Sequence, residues 1–245
     1  MTPRFRMIAG PNGSGKSTLV NFLRKEYALN FYTFLNADSI FEEAVKSSAY
    51  SSPVAIDQDE LLRYAELSGY DARIKGFYSR GEIVVEEDIV RFKTRDAVNS
   101  YTIAILTNFL QQVHISKGLS FSQETVFSHP SKVAALKTAI ESGFRTYLYF
   151  VANRDVSINL TRIANRVKSG GHDVPVDKVV SRAERALSNV AQALAYCSRA
   201  YFFDNSSATM EFLAEYEGGR GFTAVAKERP QWFDDCVLNQ ESRAS

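Results

Sequence analysis

The segment GPNGSGKS at residues 10–17 matches the pattern G-x-x-x-x-G-K-[ST] in full. An apolar run, RFRMIAG (4–10), precedes it and predicts a short buried strand. The segment STLVNFLRKEYA (17–28) follows it and predicts a helix. A strand, a glycine-rich turn and a helix in this order are the context that the pattern requires. The segment therefore predicts a phosphate-binding loop.

The chemistry of this loop follows from its residue types. Glycines let the backbone N–H groups curl around phosphates, and the positive end of the following helix adds a favourable field. Lys16 is expected to reach the β- and γ-phosphates, and the Ser17 hydroxyl to ligate Mg²⁺. We expect ATP, with GTP as an alternative, and Mg²⁺ as cofactors. The predicted nucleotide-binding residues are Gly10, Pro11, Asn12, Gly13, Ser14, Gly15, Lys16, Ser17 and Thr18.

Alternating strand and helix patterns continue along the 245-residue chain. They predict an α/β fold with a parallel sheet of about five strands and flanking helices. One domain, 1–245, is expected, with an insertion at 45–96 between strands 2 and 3. Residues 154–196 are expected to form a helical lid with its flanking helices. The strands after the first are predicted at 31–38, 119–125, 146–152 and 199–206, and EGGRG (217–221) predicts a terminal hairpin.

Polar residues follow the predicted strands, and parallel sheets bind ligands beyond the carboxyl ends of their strands. Asp38 ends the second strand, where it could take the proton from an acceptor hydroxyl. It could equally cap the helix that NADSIFEEA predicts. Glu124 ends the third strand, with Thr125 and Ser128 beside it. Glu124 could bind substrate hydroxyls or Mg²⁺-bound water, or be a solvated residue at the rim.

Arginines are spaced to share helical faces in the predicted lid. Arg162 and Arg166 are four residues apart, and Arg182 and Arg185 lie on the next helix. A loop with glycines, a proline and His172 joins the two helices. Such arginines could stabilise the charge of a transferring phosphate, and His172 could donate to a phosphate oxygen. The alternative is a solvent-exposed basic helical hairpin.

The totals narrow the class of protein. With 29 basic and 28 acidic side chains, the chain has no basic excess for nucleic acid, so none is expected as a partner. Cys197 and Cys236 have neither disulfide-framework nor metal-ligand spacing. We expect no leader before the first strand, and no apolar stretch is long enough for a membrane span. We expect a cytoplasmic protein that does not associate with a membrane.

Several segments together resemble the zeta-toxin-like P-loop kinases, the toxins of bacterial toxin–antitoxin systems and their chromosomal relatives. They cover most of the chain outside residues 45–96 and are AGPNGSGKST, LNADSI, LSFSQETVFSHPSK, LYFVANRD, NRVKSGGHDVP, SRAERALSN and FFDNS. The resemblance departs in the lid, where His172 or Arg182 has to replace an arginine of the family. It also departs at Val126, two places after Glu124, where the family often has a threonine. Thr125 is adjacent to this position.

The resemblance implies a kinase that moves the γ-phosphate of ATP to a small-molecule hydroxyl, with a UDP-N-acetyl-amino sugar as the acceptor. It implies that Asp38 is the catalytic base, that Glu124 binds the substrate, and that Arg166 is a catalytic phosphate clamp. By their positions we expect Thr125 to join Glu124 in binding the substrate and Lys16 to be catalytic. An antitoxin protein is the partner that it suggests. Two alternatives stay open: a kinase of another metabolite or nucleotide, and a nucleotide-switched protein-binding module.

Overall fold

The computed structural model describes residues 2–170 and 173–239 of the chain. The chain is divided into two compact units. The first unit comprises Met1–Phe31 and Glu124–Ser245, and the second comprises Tyr32–Gln123. The second unit therefore contains the segment 45–96 that the sequence predicts as an insertion.

The elements alternate along the chain. The strands are β1 (Arg4–Ala9), β2 (Thr33–Leu35), β3 (Ala49–Ser51), β4 (Ile83–Glu86), β5 (Ile89–Phe92), β6 (Phe121–Thr125), β7 (Arg145–Ala152), β8 (Arg199–Asp204), β9 (Glu211–Glu217) and β10 (Gly221–Val225). The helices are α1 (Lys16–Tyr27), α2 (Ala37–Ser47), α3 (Gln58–Leu67), α4 (Ala72–Ser79), α5 (Ser100–Ser116), α6 (Ser131–Glu141), α7 (Val156–Lys168), α8 (Val176–Leu194) and α9 (Gln231–Phe233). A 3₁₀ turn spans Arg95–Ala97 and a π-helical turn spans Asp234–Leu238.

A sheet with the strand order β10-β9-β8-β7-β1 organises the first unit. β1, β7 and β8 are parallel, and β9 and β10 continue the sheet as an antiparallel hairpin. The central parallel strands are almost continuously apolar, as expected for strands covered on both faces, and Ile8, Leu148 and Phe202 are fully buried. The register pairs Ala9 with Phe150 and Ala152 with Asp204, so the three strands end at the same edge.

The second unit combines a parallel strand pair with a small antiparallel sheet. β2 pairs with β6 in parallel, and β3, β5 and β4 form a three-stranded sheet. β4 and β5 turn through Glu87 and Asp88, whose φ values of 50° and 65° suit a tight hairpin. The buried hydroxyl of Tyr78 donates to the Thr102 carbonyl at 2.7 Å, which ties α4 to α5.

The predicted α/β class is confirmed, and each of the five predicted strands is present. The hairpin at 217–221 is also confirmed, as the turn between β9 and β10. The sequence pattern does not predict α4, and the observed β2 is shorter than the predicted strand 31–38. Among the described residues, no helix is long and apolar enough to cross a membrane.

His114 is a fully buried histidine on α5. Its Nδ1 lies 2.7 Å from the Leu110 carbonyl oxygen, and its ring packs 5.1 Å from the ring of Phe121. A carbonyl oxygen only accepts, so Nδ1 carries a proton, as it does both in the charged ring and in one neutral tautomer. Burial lowers the pKa of His114 below its ordinary value, because the charged form loses its hydration.

We expect this histidine to make the free energy of unfolding depend on pH. The lowered pKa means that the unfolded chain takes up a proton which the folded protein resists, so stability falls as pH falls below about 6.5. One such proton contributes a slope of at most about 1.4 kcal/mol per pH unit. Urea unfolding across this range should give a shallower slope for His114→Phe than for wild type. Equal slopes for His114→Phe and wild type would contradict the assignment.

Candidate functional site: the phosphate-binding loop

The predicted loop joins β1 to α1 in the first unit. α1 begins at Lys16, and Gly15 takes the N-cap position at a left-handed φ of 98° without any side-chain cap. The first-turn N–H groups are therefore not used by a capping side chain, and no acidic residue lies in the first turn. Such a helix start is suited to an anion.

The three glycines of the loop have no room for a side chain, and on Gly10 a Cβ atom would lie 2.1 Å from the Val151 carbonyl oxygen. A Cβ atom on Gly15 would lie 1.9 Å from Nδ2 of Asn205, and one on Gly13 would lie 2.6 Å from the Asn159 carbonyl oxygen. The left-handed φ of both residues disfavours any larger residue as well. The glycine pattern of the motif is thus required here by packing as well as by backbone conformation.

The Lys16 side chain folds back over the first residues of the loop. Its ammonium group donates to the carbonyl oxygens of Gly10 at 3.1 Å and Pro11 at 3.2 Å. The side chain is half-buried, so its charge is held at the mouth of the loop. The Ser17 and Thr18 side chains, which come next in the chain, are exposed.

Three asparagines outside the motif hold the loop from behind, and we call them the asparagine bracket: Asn153, Asn159 and Asn205. Nδ2 of Asn159 donates to the Asn12 carbonyl at 2.7 Å, and Nδ2 of Asn205 donates to the Ser14 carbonyl at 2.9 Å. Asn153 links the set, because its Nδ2 donates to Oδ1 of Asn159 at 2.9 Å. All three are buried, so their bonds hold the Asn12 and Ser14 carbonyls of the loop against the protein interior.

Arg162, one of the predicted lid arginines, also belongs to this network. Its Nη2 donates to the Asn205 carbonyl at 2.7 Å and its Nη1 to Oδ1 of Asn153 at 3.3 Å. Arg162 thereby places a guanidinium charge beside the loop and orients two members of the bracket. Asp204, which precedes Asn205 in the chain, is 1% exposed and accepts from Nε of Arg154, which follows Asn153, at 2.7 Å.

The end of β6 meets the beginning of the loop. The N–H of Gly10 donates to the Thr125 carbonyl at 3.3 Å, so the neighbouring Glu124 is carried on the strand that borders the loop. The chain then turns at Phe127, a buried residue with a left-handed φ of 65°. Nδ2 of Asn189 on α8 donates to the Phe127 carbonyl at 2.9 Å and holds this turn. The half-buried Thr125 side chain accepts from the Phe127 N–H at 3.2 Å.

Asp38 lies in the first turn of α2 in the second unit, and its side chain is exposed. The N-cap of α2 is Asn36, whose side chain accepts from the Asp38 N–H at 2.9 Å. The alternative that Asp38 caps this helix is therefore wrong: Asn36 does so. Among the described residues, no ion pair involves the Asp38 carboxylate.

The other predicted lid residues lie on two helices that pack against each other, α7 and α8. Arg166 is exposed on α7, one turn after Arg162. Arg182 is half-buried and Arg185 is exposed on α8. His172 lies outside the described residues.

The asparagine bracket is the part of the site that the motif does not predict. The residues Asn153 and Asn205 directly follow β7 and β8, at the polar strand ends that the sequence does show. Asn159 has no such signal, because it lies on α7 among other polar residues. Within the described part of the chain, no group of three or more His, Cys, Asp or Glu residues is arranged to hold a metal ion.

Known proteins match the chain in sequence only over a short stretch. No protein-family model matches it. An uncharacterized protein of Haemophilus influenzae is 41% identical over 68 residues, which are 28% of this chain and 49% of that protein. The chain thus matches about half the length of this curated relative.

Solved structures match over much more of the chain. The crystal structure of AvrRxo1-ORF1:-ORF2 with ATP has a TM-score of 0.59 at 15% identity, over 96% of this chain and 64% of that chain. The structure of the PezAT chromosomal toxin–antitoxin system of Streptococcus pneumoniae has a TM-score of 0.54 at 12% identity, over 99% of this chain and 85% of that chain. At these identities the likeness shows the fold. The resemblance to the zeta-toxin-like P-loop kinases is confirmed at that level.

Proposed function

We propose that this protein is a kinase that transfers the γ-phosphoryl group of ATP to a hydroxyl group of a small molecule. The observation that carries the proposal is the complete loop at residues 10–17, held by the asparagine bracket at the start of α1. A loop fixed in advance lowers the cost of ordering donors around the phosphates. The fold is shared with the AvrRxo1-ORF1:-ORF2 structure, which was determined with ATP, and this supports ATP as the nucleotide.

Positioning and charge neutralisation are the main work in phosphoryl transfer. In the proposed complex the loop N–H groups bind the β-phosphate, and Lys16 neutralises the β- and γ-phosphate oxygens. Arg162 and Arg166 clamp the group in transfer, with Arg182 and His172 completing the lid. GTP would be bound by the same phosphate contacts.

Ser17 fits a Mg²⁺ ion that arrives with the nucleotide. Its exposed hydroxyl stands at the second position of α1. Mg²⁺ in kinases commonly keeps several waters and relies on substrate phosphates rather than on a cage of side chains. When bound, the ion supplies positive charge to the phosphate oxygens.

The acceptor side of the reaction needs a base and a binding group. In our proposal the acceptor oxygen forms a bond to the γ-phosphorus as the bond to ADP breaks, and the hydroxyl proton passes to the Asp38 carboxylate. Glu124 and Thr125 bind other hydroxyls of the acceptor. A UDP-N-acetyl-amino sugar is the leading acceptor, and it rests on the resemblance of the motif segments.

A screen of acceptors tests this proposal. Wild type and Lys16→Ala are incubated with ATP, Mg²⁺ and either UDP-N-acetylglucosamine or a bacterial metabolite extract, and the products are identified by mass spectrometry. We expect a singly phosphorylated acceptor with wild type only. A phosphorylated product of another metabolite would change the assigned acceptor and leave the kinase assignment in place. Formation of ADP without any phosphorylated acceptor would contradict the kinase assignment.

Gly15→Ala is expected to weaken ATP binding by at least about tenfold, which corresponds to a loss of about 1.4 kcal/mol. The new methyl group would collide with Nδ2 of Asn205, so the loop or the bracket has to move. Gly143→Ala is the matched control, since Gly143 has a similar φ of 82° but open space around its Cβ position. It should cost some stability and leave ATP binding unchanged. Isothermal titration with ATP measures both, and unchanged affinity in Gly15→Ala would contradict the role of the loop.

A protein partner is the last part of the proposal. The two matched structures are of AvrRxo1-ORF1 with AvrRxo1-ORF2 and of a toxin–antitoxin system. By analogy we propose that an antitoxin protein binds this chain and controls its activity.

A further inference from the structure

A cavity of about 910 Å³ lies within the second unit, and residues 41–101 alone supply its lining. We call it the basic cavity. The C-terminal half of α2, the first turns of α4 and α5, and the segment after β5 form its walls. Cavities of roughly 300–1,000 Å³ are of the size that holds a small organic ligand. No residue of the loop at 10–17 lines it.

Three cationic side chains from different elements line this cavity: Arg73, Lys93 and Arg95. A single carboxylate, Asp96, lies among them. Within residues 2–170 and 173–239, none of the three cations forms an ion pair. Like charges gathered around one cavity repel each other, and a bound anion relieves that repulsion.

The backbone that carries two of these cations is firmly held. The Phe92 N–H donates to the Ser48 carbonyl at 2.9 Å, and the Lys93 N–H donates to the Glu82 carbonyl at 2.8 Å. The Val98 N–H donates to the Arg95 carbonyl at 3.1 Å and closes the 3₁₀ turn. α4 and α5 begin beside the cavity, and their first-turn N–H groups are capped by the side chains of Asp71 and Asn99. The backbone positions of these residues are thus fixed, while the side chains of Arg73, Lys93 and Arg95 are exposed at the cavity.

The rest of the lining is largely apolar. Phe77 and Phe92 are 6% and 3% exposed and form buried parts of the wall, while Val45 and Tyr101 are 58% and 53% exposed. Large apolar side chains exposed beside a charged rim indicate a ligand with an apolar part. The Tyr101 ring, which also packs against Tyr70 at 6.0 Å, offers a flat surface for an aromatic group.

We propose that the basic cavity binds a small phosphorylated molecule with a flat apolar body, of nucleotide size, at a site separate from the phosphate-binding loop. Arg73, Lys93 and Arg95 bind the phosphate, because guanidinium and ammonium groups make charge-assisted hydrogen bonds to phosphate oxygens. Tyr101 and the phenylalanines bind the apolar body. Binding at this site does not depend on the kinase activity.

The probe for this site is 1-naphthyl phosphate, with 1-naphthol and inorganic phosphate as its two halves. We expect wild type to bind 1-naphthyl phosphate more tightly than either half. Hydrogen exchange should slow at residues 41–48, 72–79 and 90–101 when the probe is bound. Arg73→Gln, Lys93→Gln and Arg95→Gln should each weaken binding by roughly three- to tenfold.

Two control variants separate this site from the loop. Arg63→Ala removes an exposed charge on α3 that does not line the cavity, and Lys16→Ala alters the loop. Both should bind the probe as wild type does. Protection confined to residues 10–18, loss of binding in Lys16→Ala, unaltered binding in a variant with all three glutamines, or no binding by wild type would each overturn the proposal.

Discussion

Lys16→Ala is expected to lower the rate of phosphoryl transfer by roughly a hundred- to a thousandfold, the usual cost of removing one preorganised charge-stabilising donor. The ammonium group is held at the mouth of the loop by the carbonyls of Gly10 and Pro11. No other lysine of α1 lies in its first turn. Transfer of the γ-phosphate with a saturating acceptor measures this rate.

Lys25→Ala is the matched control for this variant, because it removes a lysine from the same helix. Its side chain is 85% exposed and pairs with Glu26 at 3.6 Å, so the substitution removes a charge and very little packing. The control should keep the wild-type rate. Equal rates for Lys16→Ala and Lys25→Ala would mean that the loop does not act on a triphosphate.

Asp38→Asn is expected to slow transfer by about a hundred- to ten-thousandfold, the contribution of a general base. Asparagine keeps the size of the side chain, and the Asn36 cap of α2 does not involve the Asp38 side chain. The helix should therefore stay folded, apart from the loss of about 0.3–1 kcal/mol of favourable charge at its N-terminus. ATP binding should stay close to wild type, which distinguishes this variant from Lys16→Ala.

Glu42→Gln tests whether any loss of charge on this helix has the same effect. Glu42 is exposed four residues after Asp38, on the same face of α2. We expect wild-type transfer from Glu42→Gln. A transfer rate for Asp38→Asn within a few-fold of wild type would remove Asp38 as the base while leaving the loop assignment intact.

The strand, loop and helix around residues 10–17 were predictable because their signal is local. The conformation and phosphate binding of the loop require the glycines, the lysine and the serine within one short segment. The apolar runs on either side predict the flanking strand and helix. β7 and β8 were equally predictable, since each contains the apolar run that is typical of a buried parallel strand.

The asparagine bracket shows why other parts of the site could not be predicted from the sequence. Asn159 reaches a loop carbonyl 147 residues earlier, and Asn205 reaches one 191 residues earlier. Neither contact repeats with a helical or strand period, so nothing in the local pattern marks it. The same holds for Arg162, whose spacing from Arg166 indicates a shared helix face but not which groups its guanidinium meets.

The segment from 45 to 96 was difficult for another reason. α4 has only eight residues, including a glycine, so it spans too few turns for its apolar period to stand out. Its buried residues Ile74, Phe77 and Tyr78 pack through contacts such as the Tyr78 bond to Thr102. At Asp38 the difficulty was one of choice, since Asn36 and Asp38 are both good caps and only the backbone shows which one caps α2.

The most direct test of the proposed reaction follows the γ-phosphate itself. Wild type is incubated with ATP labelled in its γ-phosphoryl group, with Mg²⁺ and the acceptor found in the screen, and the label is divided between organic product and inorganic phosphate. We predict that the label enters a phosphate ester of the acceptor, in an amount equal to the ADP formed, and that Lys16→Ala and Asp38→Asn suppress it. Label found only in inorganic phosphate, at a rate that ignores the acceptor, would contradict the account.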